Sequence, residues 1–442
     1  MSTNGTASRH IAPQVPTSAG DSARIIPAVL VLYACMLPRE LTFEIAGIGF
    51  QPFRAMITLL SPVALFMAVQ QRLRPSLVDG LIVFAAIWAF IALWVVQSLD
   101  DAFITGLSEG LNLSLGYLVG RVSIRTSKDF QRFLMAVLPG LLFCAAVMAI
   151  ESISHKHLLR PFVANLVGVP LTSESYEERL GLMRARGPFV HAILGAVFLA
   201  SFLSIVWYMA RSTYIRTIGL LAVAGFLFSV SSTGYVGIII ASGLIFTNYL
   251  HRTTRLPVFQ TVLLAVLLMF ALIQAISESG VISFIIRRLT ISSGTGRFRM
   301  FIWEYAGAEA LANPVFGIGD RPYSRPAWMR TASVDAHWLL LTMRYGFPFG
   351  MSVLVAVISS AVMSIRGAWS PFPLDQRAAY AMTFTLSSVI FMGFSVYLWE
   401  GMGCWLVVLS GMAVSFGQQM ALAVRTQQAA PPGWSPTRLR PA

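Results

Sequence analysis

From Leu81 to Val96 the chain is an unbroken apolar run, and runs of this kind recur along its whole length. In a bilayer only helices and closed barrels satisfy their own backbone hydrogen bonds. Barrel strands alternate apolar with polar residues, and these runs do not. The expectation is an all-α polytopic membrane protein. Composition agrees: 56% of residues are hydrophobic and 12% charged, with a mean hydropathy of +0.71, against about 25% charged in an ordinary soluble domain. A soluble enzyme is excluded. At about 20 residues per crossing, 442 residues leave room for about a dozen spans and long loops.

Reading apolar runs against polar breaks predicts twelve spans, near 25–38, 53–71, 77–97, 104–121, 133–151, 189–209, 217–232, 235–250, 257–277, 337–364, 379–398 and 402–422. They form one transmembrane domain over 25–422, flanked by a disordered tail at 1–24 and a second tail at 423–442. No small-residue cleavage pattern follows the first apolar run, so that span is expected to be retained. The fourth span carries Glu109 and Asn112 and is expected to face protein or a water-filled cavity. The three cysteines, Cys35, Cys144 and Cys404, lie inside apolar runs and read as small buried hydrophobes, with neither a disulfide framework nor a metal cluster implied.

Twelve spans put both termini on one side. That side collects 17 of the 32 Lys+Arg, in short loops and tails such as Arg72, Arg74, Arg121 to Arg132, Arg211, Arg216, Arg366 and Arg377. Orientation follows cationic short loops, so both tails are expected in the cytoplasm. The net charge of +13 would suggest nucleic acid only if gathered on a soluble face; here it sits between spans, and no nucleic-acid partner is expected. No internal repeat and no relation between the two halves is evident, which weakens a transporter reading.

The other 15 cations fall mostly in two long outer loops, near 152–188 and 280–336, and all but Lys156 are arginine. Arginine presents a planar, permanently charged fork suited to phosphate and pyrophosphate. The first loop ends in Arg184-Ala185-Arg186-Gly187-Pro188-Phe189. The second holds Arg287, Arg288, Arg297, Arg299 and Trp303, then Asn313-Pro314-Val315-Phe316-Gly317-Ile318-Gly319 and Asp335-Ala336-His337-Trp338. Arg184 and Arg299, with Arg186 and Arg297 beside them, are the candidate pyrophosphate ligands; pairing with Glu174, Glu177, Glu178, Glu304 or Glu309, or with lipid headgroups, is the bland alternative. Arg299 and Trp303 are four apart and would share a helix face. Gly317-Ile318-Gly319 lacks the third glycine and the preceding strand of a dinucleotide fingerprint and reads as a tight turn. Asp335 and His337 are the candidate proton acceptors, against the alternative that either is merely a helix cap.

These segments, from Arg299 and Trp303 through the Pro-Val-Phe-Gly-Ile-Gly turn and Asp335-Ala336-His337-Trp338-Leu339-Leu340 to Tyr345-Gly346-Phe347-Pro348-Phe349-Gly350, resemble the O-antigen ligase/polymerase superfamily. Arg184-Ala185-Arg186-Gly187-Pro188-Phe189 is similar to that family's Arg-x-x-Gly-x-Phe. The chain has Ala336 where the family has Asn, and Ser232-Thr233-Gly234 where it often has Ser-Arg-Gly. The resemblance implies a GT-C-like membrane glycosyltransferase of the bacterial inner membrane. It implies periplasmic transfer from an undecaprenyl-pyrophosphate-linked saccharide to a glycan acceptor, with no metal or other cofactor and with room for a chain-length regulator as partner. Asp335 falls at the family's catalytic position, where polymerases often have Asp, so the resemblance favours an O-antigen or exopolysaccharide polymerase. Ligation of polymer to lipid A core is the alternative, and a flippase or exporter of lipid-linked saccharide is the alternative from another class.

Overall fold

The computed structural model describes residues 23–45, 48–171, 176–254, 293–329 and 331–428. The predicted ninth span, Arg287, Arg288 and most of both tails lie outside them. The chain is mostly helical, and among the described residues seven helices are long and apolar enough to cross a membrane. In chain order the helices are α1 (Ile26–Cys35), α2 (Pro52–Gln70), α3 (Leu77–Val96), α4 (Leu107–Ser123), α5 (Ser127–Ser154), α6 (Leu159–Val167), α7 (Ala192–Ser201), α8 (Leu203–Met209), α9 (Thr213–Ala224), α10 (Ser232–Thr254), α11 (Ser293–Ala312), α12 (His337–Ser364), α13 (Pro373–Gly393) and α14 (Gly401–Gln428). Described helices lie within several residues of eleven of the twelve predicted spans, but those near 25–38, 104–121, 217–232 and 379–398 are not among the seven long and apolar enough to cross. At 10 residues, α1 is only about 15 Å long, half a bilayer core. A π-helical segment, Ala102–Gly106, precedes α4; such distortions often mark functional sites.

Two short antiparallel hairpins complete the chain: β1 (Phe43–Ile45) with β2 (Ile48–Phe50), and β3 (Glu178–Arg179) with β4 (Leu182–Met183). The first long loop therefore holds a short helix and a hairpin, and the second holds α11. Leu158, Phe162 and Leu166, spaced by four, form an exposed apolar face on and just before α6.

Packing joins helices far apart in the chain as well as neighbours. The central contact is α4 against α14, with α12 against α3 and α14. At the first, Gly120 lets the two backbones meet: a Cβ there would fall 2.0 Å from the Val408 carbonyl, the small-residue contact that membrane helices use for close approach. The ends carrying the predicted cytoplasmic cations are pinned by a saturated cluster. Ser76 and Asp79 form a capping box at the start of α3. Arg121 Nε donates to Asp79 Oδ1 (2.9 Å), Nη1 to Ser415 Oγ (2.7 Å) and Nη2 to the Arg74 carbonyl (2.9 Å), while the Tyr117 hydroxyl donates to Asp79 Oδ1 (2.7 Å).

At the opposite end, the Pro-Val-Phe-Gly-Ile-Gly turn docks onto a break in α12. Gly346 has φ +82° and ψ 169°, and Pro348 follows. In an unbroken helix the Met343 carbonyl would accept from Phe347 N–H, and the Arg344 carbonyl would find no donor on Pro348. Here Phe347 N–H donates instead to the Pro314 carbonyl (2.8 Å). Ile318 N–H supplies the Met343 carbonyl (2.8 Å) and Gly319 N–H the Arg344 carbonyl (2.9 Å). Gly317 and Gly319 hold φ of +69° and +65° in that turn. A Cβ on Gly346 would lie 1.9 Å from the Val315 carbonyl oxygen. The paired glycine motifs of the second loop are thus the two halves of one backbone joint.

Candidate functional site

The arginine loop is built on one buried carboxylate. Glu151, in the last turn of α5, accepts from the backbone N–H of Arg186 (3.1 Å) and Gly187 (2.8 Å) on one oxygen and of Leu158 (3.0 Å) on the other. This fixes the loop, with Gly187 at φ +55°, at the end of a bundle helix. Arg184 is buried; its Nε donates to the Ser229 carbonyl (3.3 Å) and its Nη1 to Glu177 Oε2. Arg179 reaches the same Glu177 oxygen at 3.6 Å. Burial works against ionisation of Glu177, but the hydrogen bond and charge of Arg184, with Arg179 behind them, hold its carboxyl below the usual range. The predicted pairing with Glu177 is therefore real. It uses one terminus of a guanidinium that sits beside other cations.

Arg299 enters from α11. Its Nη2 donates to Thr233 Oγ1 (3.3 Å) at the start of α10, and its buried Nε has no acceptor. Burial lowers the Arg299 pKa from its ordinary value; Asp335 opposes that, and Arg179 and Arg184 add to it. Two loops far apart in sequence thus place Arg179 and Arg184 within electrostatic reach of Arg299, which Asp335 also reaches. Val230, beside this cluster and before α10, holds a left-handed φ of +46°, an uncommon and costly state for a β-branched residue. Four residues along α11, Trp303 anchors the helix by donating from Nε1 to the Phe394 carbonyl (3.2 Å).

The remaining candidates separate. The Arg186 side chain is buried, and burial, followed by the nearby charge of Arg160, lowers its pKa. Arg297 is exposed. Neither Asp335 nor His337 is a helix cap: Ala336 occupies that position in α12, with no side-chain cap bond. Asp335 lines a cavity of about 440 Å³ with Asp320, Arg321 and Tyr323. His337 is buried, lines a second cavity of about 500 Å³ with Arg54, Glu109 and Asn112, and leaves Nδ1 unpaired. Arg344, Tyr397 and Trp399 line both cavities. Asp335, then, stands within reach of Arg299, and His337 lines a neighbouring cavity that shares Arg344, Tyr397 and Trp399 with it.

Sequence reasoning missed His191, the N-cap of α7. Its Nδ1 accepts from Ile193 N–H (3.1 Å), which puts the neutral ring's proton on Nε2. Burial, and then the charges of Arg184 and Arg186, push its pKa down to about 4, so near neutral pH it is an uncharged donor beside the cations. Its ring lies 6.1 Å from that of Trp399. A His just before an apolar helix, two residues beyond the arginine motif, was the available signal. Arg179 was visible in the loop but nothing in the spacing distinguished it. No protein-family model matches the chain, and no curated protein matches it either.

Proposed function

We propose that this protein is a twelve-span, GT-C-like membrane glycosyltransferase that transfers a saccharide from a polyprenyl-pyrophosphate carrier, undecaprenyl-pyrophosphate by resemblance, at the outer face of a bacterial inner membrane. Both termini lie in the cytoplasm. The observation that carries the reading is the gathering of two loops at Arg299, whose guanidinium, bonded to Thr233 and with a buried unpaired Nε, lies within electrostatic reach of Arg179, Arg184 and Asp335. Three guanidinium groups in a partly buried rim, with an orphaned donor on one of them, are matched by a multiply charged anion. Placed in advance, they stabilise the charge that develops on a leaving pyrophosphate.

In the proposed step the acceptor hydroxyl oxygen bonds to the anomeric carbon as the bond from that carbon to the pyrophosphate oxygen breaks. The acceptor's proton goes to Asp335, and the lipid pyrophosphate leaves with the electron pair toward Arg184 and Arg299. His191 donates its Nε2–H to the same anion. Asp335 as base fits a polymerase, whose acceptor is another lipid-linked glycan, better than a ligase using His337. A flippase or exporter keeps one observation in its favour, the charged residues Arg54, Glu109 and Arg344 around a cavity inside the bundle, since polar groups at membrane depth mark transport paths as well as active sites.

The test is the size and lipid attachment of surface glycans in a strain lacking the protein, beside the complemented strain. A ladder collapsing to single repeat units is expected. Full-length polymer stranded on its carrier would make the protein a ligase, and single repeats trapped on the cytoplasmic leaflet would overturn the catalytic reading.

A further inference from the structure

The cavity bounded by α2, α4, α12 and the start of α14 is equipped for more than passage. Glu109 and Asn112, three apart on α4 and so on one face, line it with no hydrogen bond or ion pair to any described residue. Arg54, at the start of α2, gives one Nη1 bond to the Gly49 carbonyl (3.4 Å) and leaves Nε unpaired. Arg54 and Glu109 lie within electrostatic reach without bonding, so the space between them separates a donor from an acceptor. The same cavity is also lined by an aromatic row: His337 stacks on Tyr397 at 5.6 Å and Tyr397 on Trp399 at 5.5 Å. His337, itself 7% exposed, adds an unpaired Nδ1.

Each simple occupant fails on one wall. A lipid tail would leave the carboxylate, amide and guanidinium unsatisfied, at a cost that buried polar groups do not bear. An anion would meet Glu109 and Glu400, and a cation would meet Arg39, Arg54 and Arg344. A ring bearing several hydroxyls offers donors to Glu109, acceptors to Arg54 and Asn112, and an apolar C–H face to the aromatic row. The volume, about 500 Å³, lies in the range of small-molecule sites.

We propose that this cavity is a sugar subsite, holding one pyranose ring of the glycan substrate by hydrogen bonds to Glu109, Asn112 and Arg54 and by contact with Tyr397 and Trp399. Identifying the sugar as part of a transferred glycan rests on the reading above; the geometry does not. Because Trp399 also contacts His191 at the arginine rim, the subsite sits one ring away from the pyrophosphate position. That places the bound sugar next to the bond that reacts.

The experiment uses the full-length protein in lipid nanodiscs, with binding of methyl glycosides of glucose, galactose, mannose, N-acetylglucosamine and glucuronic acid measured by saturation-transfer NMR. At least one glycoside is expected to bind. Glu109→Gln and Asn112→Ala should each weaken it by about tenfold or more, the effect of removing a hydrogen bond from a desolvated site. Arg184→Ala should leave it unchanged, because these probes carry no phosphate. Absence of binding to folded wild type, or equal binding by both variants, overturns the subsite. Glu109-dependent binding in a protein whose Arg184→Ala variant still makes normal glycan would keep the subsite and remove the transfer reading, so the two fail separately.

Discussion

Two clusters of buried charge in the bundle are handled in opposite ways. In the cluster at the start of α3, Arg121 is 2% exposed, and each of its three nitrogens donates to a named acceptor, Asp79, Ser415, Gln418 or the Arg74 carbonyl. At the arginine site and the cavity near it, Arg299 Nε, Arg54 Nε and His337 Nδ1 are buried without partners among the described residues, and like charges gather. A fully satisfied network is a fastener. Unsatisfied buried polar groups represent retained desolvation cost, which a ligand with the right atoms would remove.

That contrast can be broken by mutation. The largest effect is expected from Arg121→Ala, which strands Asp79 and should cost about 3 to 5 kcal/mol, read as a large fall in melting temperature in detergent. Arg299→Ala should do the reverse: transfer falls about 10²- to 10³-fold, as when a preorganised charge donor is lost, while the melting temperature holds or rises because an unpaired Nε has gone. Arg299→Lys should recover folding but little activity, since a point charge cannot make a two-pronged contact. Equal destabilisation by Arg121→Ala and Arg299→Ala would erase the distinction.

A smaller effect is expected with pH. His191 has its folded pKa pushed down to about 4, against about 6.5 unfolded. Its contribution is therefore complete above about 6.5 and is lost as pH falls toward 4, because the unfolded chain binds the proton first. His191→Asn keeps an N-cap acceptor and should flatten the stability profile between those limits; an unchanged profile would place the acid sensitivity elsewhere. Arg297→Ala should be the smallest, changing transfer by less than about threefold and melting not at all, in line with surface substitutions. A loss as deep as that of Arg299→Ala would move the anion site outward along α11.

The spans were legible because their signal is local: an apolar run such as Leu81–Val96 is helical in a bilayer whatever its neighbours do. Arg184 and Arg299 were legible as types suited to pyrophosphate. Which of the neighbouring arginines turn inward was not, because that depends on where Glu151 pins the loop and on Thr233 from a third segment. Asp335 and His337 are two residues apart in sequence, yet they face different cavities, since α12 begins between them and the backbone changes direction. Glu109 was visible as an acid inside a span; its partnerless state is a property of α2, α4 and the 394–400 segment together, and no single stretch of sequence encodes it.

The joint between the Pro314–Gly319 turn and the break in α12 is made by main-chain groups on both sides. Its specification is therefore steric and conformational: glycine where φ is positive or a carbonyl intrudes, and proline where a donor must be missing. Side chains around it can be exchanged for others of similar bulk without touching those bonds. A chain built this way can drift far in composition while the joint between its second long loop and α12 keeps the same shape, and whatever that loop carries stays in register with the helix.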